Sequence, residues 1–215
     1  MSLSTLGLDR PALMVVSDGS GDPARVAALG QAAAVGGAWA FQIREPALAG
    51  RALARLVAEL AVPPLRVVVN DRVDVALAAG AFGVELGERS LPVSRVRDLA
   101  AGRLRIGRSV HDAPGAARAS AAGADWLLFG HVFATASKPG LPPAGSAGLA
   151  SACRAATCPV LAIGGITAAT ARAAIAAGAH GVAVIGAVAT APDPAAAVKA
   201  LVQELREVPC GRPSA

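Results

Sequence analysis

Between residues 131 and 138 the sequence HVFATASK gathers an imidazole (His131), two hydroxyls (Thr135, Ser137) and an ammonium (Lys138). A cation and hydroxyls can hold an anion while an imidazole takes up or delivers a proton near neutral pH. Two further points suit a phosphate. Gly164-Gly165 ends an apolar run and is followed by Ile166-Thr167, where a helix should begin, and Gly186 ends the next apolar run. Glycine lets a backbone approach a ligand closely, and a helix start presents unpaired N–H groups to an anion. Other polar groups close similar runs: Ser17-Asp18, Gln42 with Arg44 and Glu45, Asn70-Asp71-Arg72, Glu85 with Glu88, and Ser109 with His111. The sequence carries no nucleophile elbow, P-loop or His/Cys metal cluster. The expected chemistry is therefore recognition of a small phosphate with acid/base assistance, using no metal and no cofactor.

These groups are far apart in sequence, so the elements between them must bring them together. The dipeptide Gly-Ala recurs at 37, 80, 123 and 178, each time after an Ala-rich stretch and before a short apolar run. The first three are 43 residues apart and the last gap is 55. A spacing of 43 is two strand–helix units, which predicts a second set of strands in between. The eight predicted strands are 13–17, 39–43, 66–70, 82–86, 105–110, 125–129, 159–165 and 180–185. Helices are predicted near 22–35, 47–61, 72–79, 93–101, 113–122, 147–156, 168–177 and 194–206.

Near-continuous apolar strands alternating with helices indicate a parallel sheet covered on its outside, and eight units predict a (β/α)8 TIM barrel. An open doubly wound sheet is the structural alternative. In a barrel the C-terminal strand ends meet at one mouth, where all the polar groups above then converge. Residues 1–215 read as a single domain. The surplus of the longer gap falls in 131–148, a predicted active-site loop, and 208–215 reads as a flexible tail. His180, at the start of the eighth strand, belongs to the opposite face and reads as structural.

Composition narrows the partners. With 54% apolar and 16% charged residues the chain can bury one large core, which excludes disorder. The formal charge is +5, but lysine occurs only at Lys138 and Lys199, and six arginines between Arg89 and Arg108 lack interleaved aromatics. No nucleic-acid partner is expected from such a pattern, and a small anionic ligand is. Ala173 to Pro192 has no charged residue over a length that could span a bilayer, yet its composition changes at GAHG from helix-like to strand-like. No membrane partner is expected. Cys153, Cys158 and Cys210 form no CxxC, which makes a reducing cytoplasm the default location. The Ala-rich helical exterior would suit a homodimer.

Six segments, in order, resemble the thiamine phosphate synthase superfamily: QIRE (42–45), NDRVD (70–74), GRSVH (107–111), GADWLLFGHVF (123–133), AIGGI (162–166) and HGVAVI (180–185). The family is a (β/α)8 barrel. In the synthases a Lys usually follows QxRE and a second carboxylate for Mg²⁺ follows strand four, whereas this chain has Pro46 and Ser90. Asp71 keeps one carboxylate at the mouth. His131 stands where synthases usually carry Pro and where the TenI-type thiazole tautomerases carry His.

The resemblance thus implies an isomerase that aromatises a thiazole carboxylate phosphate in thiamine biosynthesis, with His131 as the catalytic proton shuttle. It implies substrate binding by Arg44, Ser109, Thr135, Ser137 and Lys138, and phosphate binding by Gly164, Gly165, Ile185 and Gly186. Two other readings stand beside it. One is a thiamine phosphate synthase with an altered metal site, and the other a non-catalytic regulatory protein that binds a thiazole or thiamine phosphate.

Overall fold

Eight parallel strands pair in chain order and close, β8 on β1, in a computed structural model that describes residues 6–8 and 11–208. They are β1 (Ala12–Val16), β2 (Ala40–Ile43), β3 (Arg66–Asn70), β4 (Gly83–Leu86), β5 (Arg105–Val110), β6 (Trp126–Gly130), β7 (Val160–Ile163) and β8 (Gly181–Val184). The predicted strands all form. The runs are apolar without alternation because each barrel strand is buried on both faces. Alternate residues point inward, among them Met14, Val16, Ala40, Val68, Leu128, Leu161 and Ala183. Their neighbours Leu13, Val15, Phe41, Val67, Val69 and Leu127 pack outward under the helices.

The helices are α1 (Pro23–Gly36), α2 (Gly50–Leu60), α3 (Val73–Ala78), α4 (Val93–Ala100), α5 (Ala113–Ala121), α6 (Gly145–Ala155), α7 (Ala168–Ala176), the one-turn α8 (Gly186–Ala189) and α9 (Pro194–Glu207). Three start alike. Asp22, Asp112 and Asp193 accept backbone N–H groups of Ala24, Gly115 and Ala196, with a proline in the first helical positions. The side chain satisfies an orphan donor, and proline loses none there.

Few aromatics must fill the barrel floor. Trp39, Phe82 and Trp126 do so as one cluster, with Trp39 edge-on to Phe82 and Trp126 at centroid distances of 6.2 and 5.8 Å. Phe82 and Trp126 stack at 6.4 Å. All three come from the starts of β2, β4 and β6, as layers built from alternate strands require. Gly107 on β5 is the vacancy that admits them, since a Cβ there would overlap the Trp126 indole.

Two boundaries differ from expectation. The loop after β6 ends at 144 and not 148, because the N–H groups of Ala144 and Gly145 bond the carbonyls of His131 and Val132 at 3.0 and 2.9 Å. The loop thereby closes on its own root and α6 starts at once. The turn α8 was not expected; it forms because the Ile185 carbonyl accepts from Val188 and Ala189. The uncharged stretch from Ala173 to Pro192 resolves into the end of α7, β8 and α8. Among the described residues no helix is long and apolar enough to cross a membrane. Residues 209–215, with Cys210 and all but Val208 of the predicted tail, lie outside the described residues.

Candidate active site

A cavity of about 510 Å³ opens at the C-terminal mouth, large enough for small organic ligands. Its lining contains every site residue expected from sequence: Arg44, Ser109, His131, Thr135, Ser137, Lys138, Gly164, Gly165, Ile185 and Gly186. Its floor is apolar, made by Val16, Leu128, Ile163 and Ala183. His180 lies at the other end of the barrel, where its Nδ1 faces the Val160 N–H at 3.4 Å.

On the β1–β3 side the wall is a hydrogen-bonded relay. Gln42 Nε2 donates to Asn70 Oδ1 at 3.1 Å, and Asn70 Nδ2 donates to Asp71 Oδ2 at 2.9 Å. Gln42 is 2% exposed, yet its Oε1 has no partner. The backbone around Arg44 is held from two directions. Ser17 Oγ accepts its N–H at 2.8 Å, and the buried Glu45 carboxylate accepts the N–H groups of Gly19 and Gly21 at 3.0 and 2.7 Å. The β1–α1 loop is thus tied to the end of β2.

On the β6–β8 side the loop 131–134 extends the sheet along β7, with Val132 N–H on Ile163 O at 2.9 Å and Phe133 N–H on Gly164 O at 3.0 Å. Gly164 and Gly165 both adopt positive φ (99° and 64°), and a Cβ on either would collide with His131 or Ala134. These glycines are therefore required by the packing of the β6 loop. Gly186 differs, because a Cβ there meets no protein atom within 4 Å and would project into open space. Thr167 and Thr170 form a capping box that fixes the start of α7 beside the glycine pair. His131 Nε2 lies 3.2 Å from Leu141 O, so that nitrogen donates to the far side of the loop. Thr135 and Ser137 hydroxyls are 3.1 Å apart.

Sequence reasoning placed Glu85 at the rim, but the structure puts it inside. It is 1% exposed, and its carboxyl meets Ser109 Oγ at 3.0 Å and Trp126 Nε1 at 2.9 Å. Burial pushes its pKa up to about 8, against the smaller opposing pull of the two hydrogen bonds and of Arg108. A glutamate within the otherwise apolar FGVEL, facing Gly107 in RIGRSV across the β4–β5 pair, was the available signal.

Fold and mouth together define a class: a (β/α)8 barrel whose strand-end loops form one cavity lined by the Arg44 and Lys138 cations. The family model described as thiamine monophosphate synthase matches residues 13–188, and the chain belongs to that family. It is 41% identical over 204 residues to the thiamine-phosphate synthase of Chlorobium phaeovibrioides, covering 92% of this chain and 96% of that one. Identity to the thiamine-phosphate synthase of Methanoculleus marisnigri is 44%, covering 80% and 84%. Among solved structures, thiamine phosphate pyrophosphorylase from Pyrococcus furiosus superposes with a TM-score of 0.82 at 33% identity, covering 94% and 98%.

These relatives overturn the tautomerase expectation. That reading rested on three positions, Pro46, Ser90 and His131, whereas the similarity to enzymes named as synthases extends over nearly the whole barrel. The chain is a member of an enzyme family, but the isomerase branch is not the one it matches.

Proposed function

We propose that this chain is a thiamine-phosphate synthase, joining a thiazole phosphate to a pyrimidine pyrophosphate. The observation that carries the reading is the single cavity in which the Gly164, Gly165, Ile185 and Gly186 turns share space with the Arg44 guanidinium and the Lys138 ammonium. Such a cavity can receive a phosphate at the turns and a second, more highly charged group at the cations. In the reaction the thiazole nitrogen lone pair forms a bond to the pyrimidine methylene carbon. The C–O bond breaks, and its electron pair leaves with pyrophosphate.

That displacement needs no proton relay. It needs two reactants held in line and negative charge stabilised as it develops on the leaving group. Arg44, Lys138 and the Thr135–Ser137 hydroxyl pair supply donors for that charge, and Ser109 supplies another from β5. The apolar floor keeps water from competing with the thiazole nitrogen. His131 forms part of the wall at the root of the loop.

The family resemblance also implies Mg²⁺, and the residues here fit it poorly. Asp71 is already engaged: Ser90 Oγ and, at 3.4 Å, the Gly87 N–H donate to its Oδ1, and Asn70 donates to its Oδ2. A serine hydroxyl stands where a second carboxylate would be needed, and Glu88, its side chain 71% exposed, lies against His111 Nε2 at 3.6 Å instead of facing Asp71. Among the described residues no group of three or more His, Cys, Asp and Glu could hold a metal. No step is therefore assigned to a resident ion.

The test is direct. The purified protein, given thiazole phosphate, pyrimidine pyrophosphate and added Mg²⁺, should form thiamine phosphate and pyrophosphate in equal amounts. Binding of both substrates without product would remove the assignment. Arg44→Ala should raise KM for the pyrimidine pyrophosphate by about 10- to 100-fold, the worth of a charged hydrogen bond.

A further inference from the structure

Glu85 is an acid that the reaction above does not use, placed directly beneath a hydroxyl that it does. Its Oε2 accepts the Trp126 indole N–H, and its Oε1 lies within hydrogen-bond distance of Ser109 Oγ, the serine hydroxyl donating when the carboxyl is ionised. The chain makes room for this arrangement, because a Cβ on Gly107 would overlap both the Glu85 carboxyl and the Trp126 ring. Ser109 belongs to the cavity wall, whereas Glu85 and Trp126 do not line it. The three residues thus form a short relay from the barrel floor to the ligand space.

We propose that Glu85 is a positioning residue that sets whether the Ser109 hydroxyl donates into the cavity. When the Glu85 carboxyl is protonated, its own O–H donates to Ser109 Oγ, and the serine proton is free to point at a phosphoryl oxygen. When it is ionised, both carboxylate oxygens accept, the serine proton turns inward, and only lone pairs face the anion. The charged groups that bear on Glu85 are Arg108 from β5 and Asp71 from the end of β3; Trp126 from β6 and Ser109 contribute hydrogen bonds only. The switch therefore falls near pH 8, where the buried acid changes state.

The proposal rests on the synthase reading only for its choice of ligands, and its test does not require turnover. Infrared difference spectra between pH 6 and pH 10 should show the carbonyl stretch of a protonated carboxylic acid disappearing with a midpoint near 8. That band should be missing in Glu85→Gln. Calorimetric affinity for thiazole phosphate and for inorganic pyrophosphate should be measured separately across the same range. For whichever ligand meets Ser109, wild-type affinity should fall about 3- to 10-fold through the transition, the usual worth of one hydrogen bond.

Glutamine donates to Ser109 and accepts from Trp126 at every pH, so in Glu85→Gln that extra fall should vanish. The ligands' own ionisation is common to both proteins and cancels in the comparison. Ser109→Ala should bind more weakly and lose the extra fall, while keeping the infrared band. An unchanged wild-type profile in Glu85→Gln, or no carboxylic acid band in the wild type at neutral pH, overturns the proposal. Should Glu85→Gln not fold, the wild-type band and the Ser109→Ala profile decide. Loss of catalysis with these signals intact would instead count against the synthase reading alone.

Discussion

A methyl group on Gly165 would occupy the space of the Ala134 carbonyl oxygen, so the end of β7 and the root of the β6 loop are packed backbone to backbone. A bulky substitution at this glycine is therefore no clean probe of ligand binding, because it displaces the loop carrying Thr135 and Lys138. Positive φ adds a further penalty for any L residue. Gly165→Ala should lower the melting temperature by several degrees, consistent with a strain of about 1–3 kcal/mol. Gly186→Ala, in open space, should leave it within about a degree.

The same contrast makes Gly186 the better test of the phosphate site. Gly186→Leu has room in the protein but would fill the space a phosphate needs. Thiazole phosphate affinity should fall by at least about tenfold with the melting temperature little changed. Gly186→Ser should strengthen binding, since its hydroxyl would add a donor beside the phosphate. Calorimetry on both variants checks this, and unaltered affinity in Gly186→Leu would move the phosphate away from β8.

Ser90 donates to Asp71, and the pair marks where an acidic metal site is incomplete. In Ser90→Asp two carboxylates would face each other, with mutual repulsion that a divalent cation relieves. Thermal melts with and without millimolar Mg²⁺ should show no shift for the wild type. The variant should start lower and be raised by the ion. A wild-type melting point that climbs with Mg²⁺ would show that the existing donors hold the metal after all.

Glu85 also makes stability depend on pH. Its folded pKa, about 8, lies above the ordinary glutamate value of 4.5, so the folded state retains a proton that the unfolded chain has released. The associated stability is fully present below pH 4.5 and is lost as pH rises from there to about 8. The melting temperature of the wild type should therefore decline relative to Glu85→Gln over that window. Above it the stability difference between the two proteins should be constant, on the order of a few kcal/mol from its value at low pH. Parallel melting curves for the two proteins at all pH values would contradict a raised Glu85 pKa.

The barrel was legible because its signals are local and repeated. Gly-Ala stops at 37, 80, 123 and 178 and unalternating apolar runs each report a single element, and their count determines closure. The mouth was legible for the same reason, since strand ends must meet. What sequence could not show is direction. Glu85 and Glu88 are three residues apart, yet one lies inside the barrel and the other in solvent. Choosing a branch of the family from His131, Pro46 and Ser90 failed for a different reason: three positions weigh less than a similarity spread over 204 residues.

The aromatic floor has an optical consequence. The chain has no tyrosine, and both of its tryptophans, Trp39 and Trp126, lie in that one cluster with Phe82. Intrinsic fluorescence therefore samples a single place, the inside of the barrel at the end away from the ligands. An emission-monitored melt would register opening of the strand cylinder and stay silent if outer helices frayed first. Comparison with circular dichroism, which weighs every helix, would separate the two events without any label.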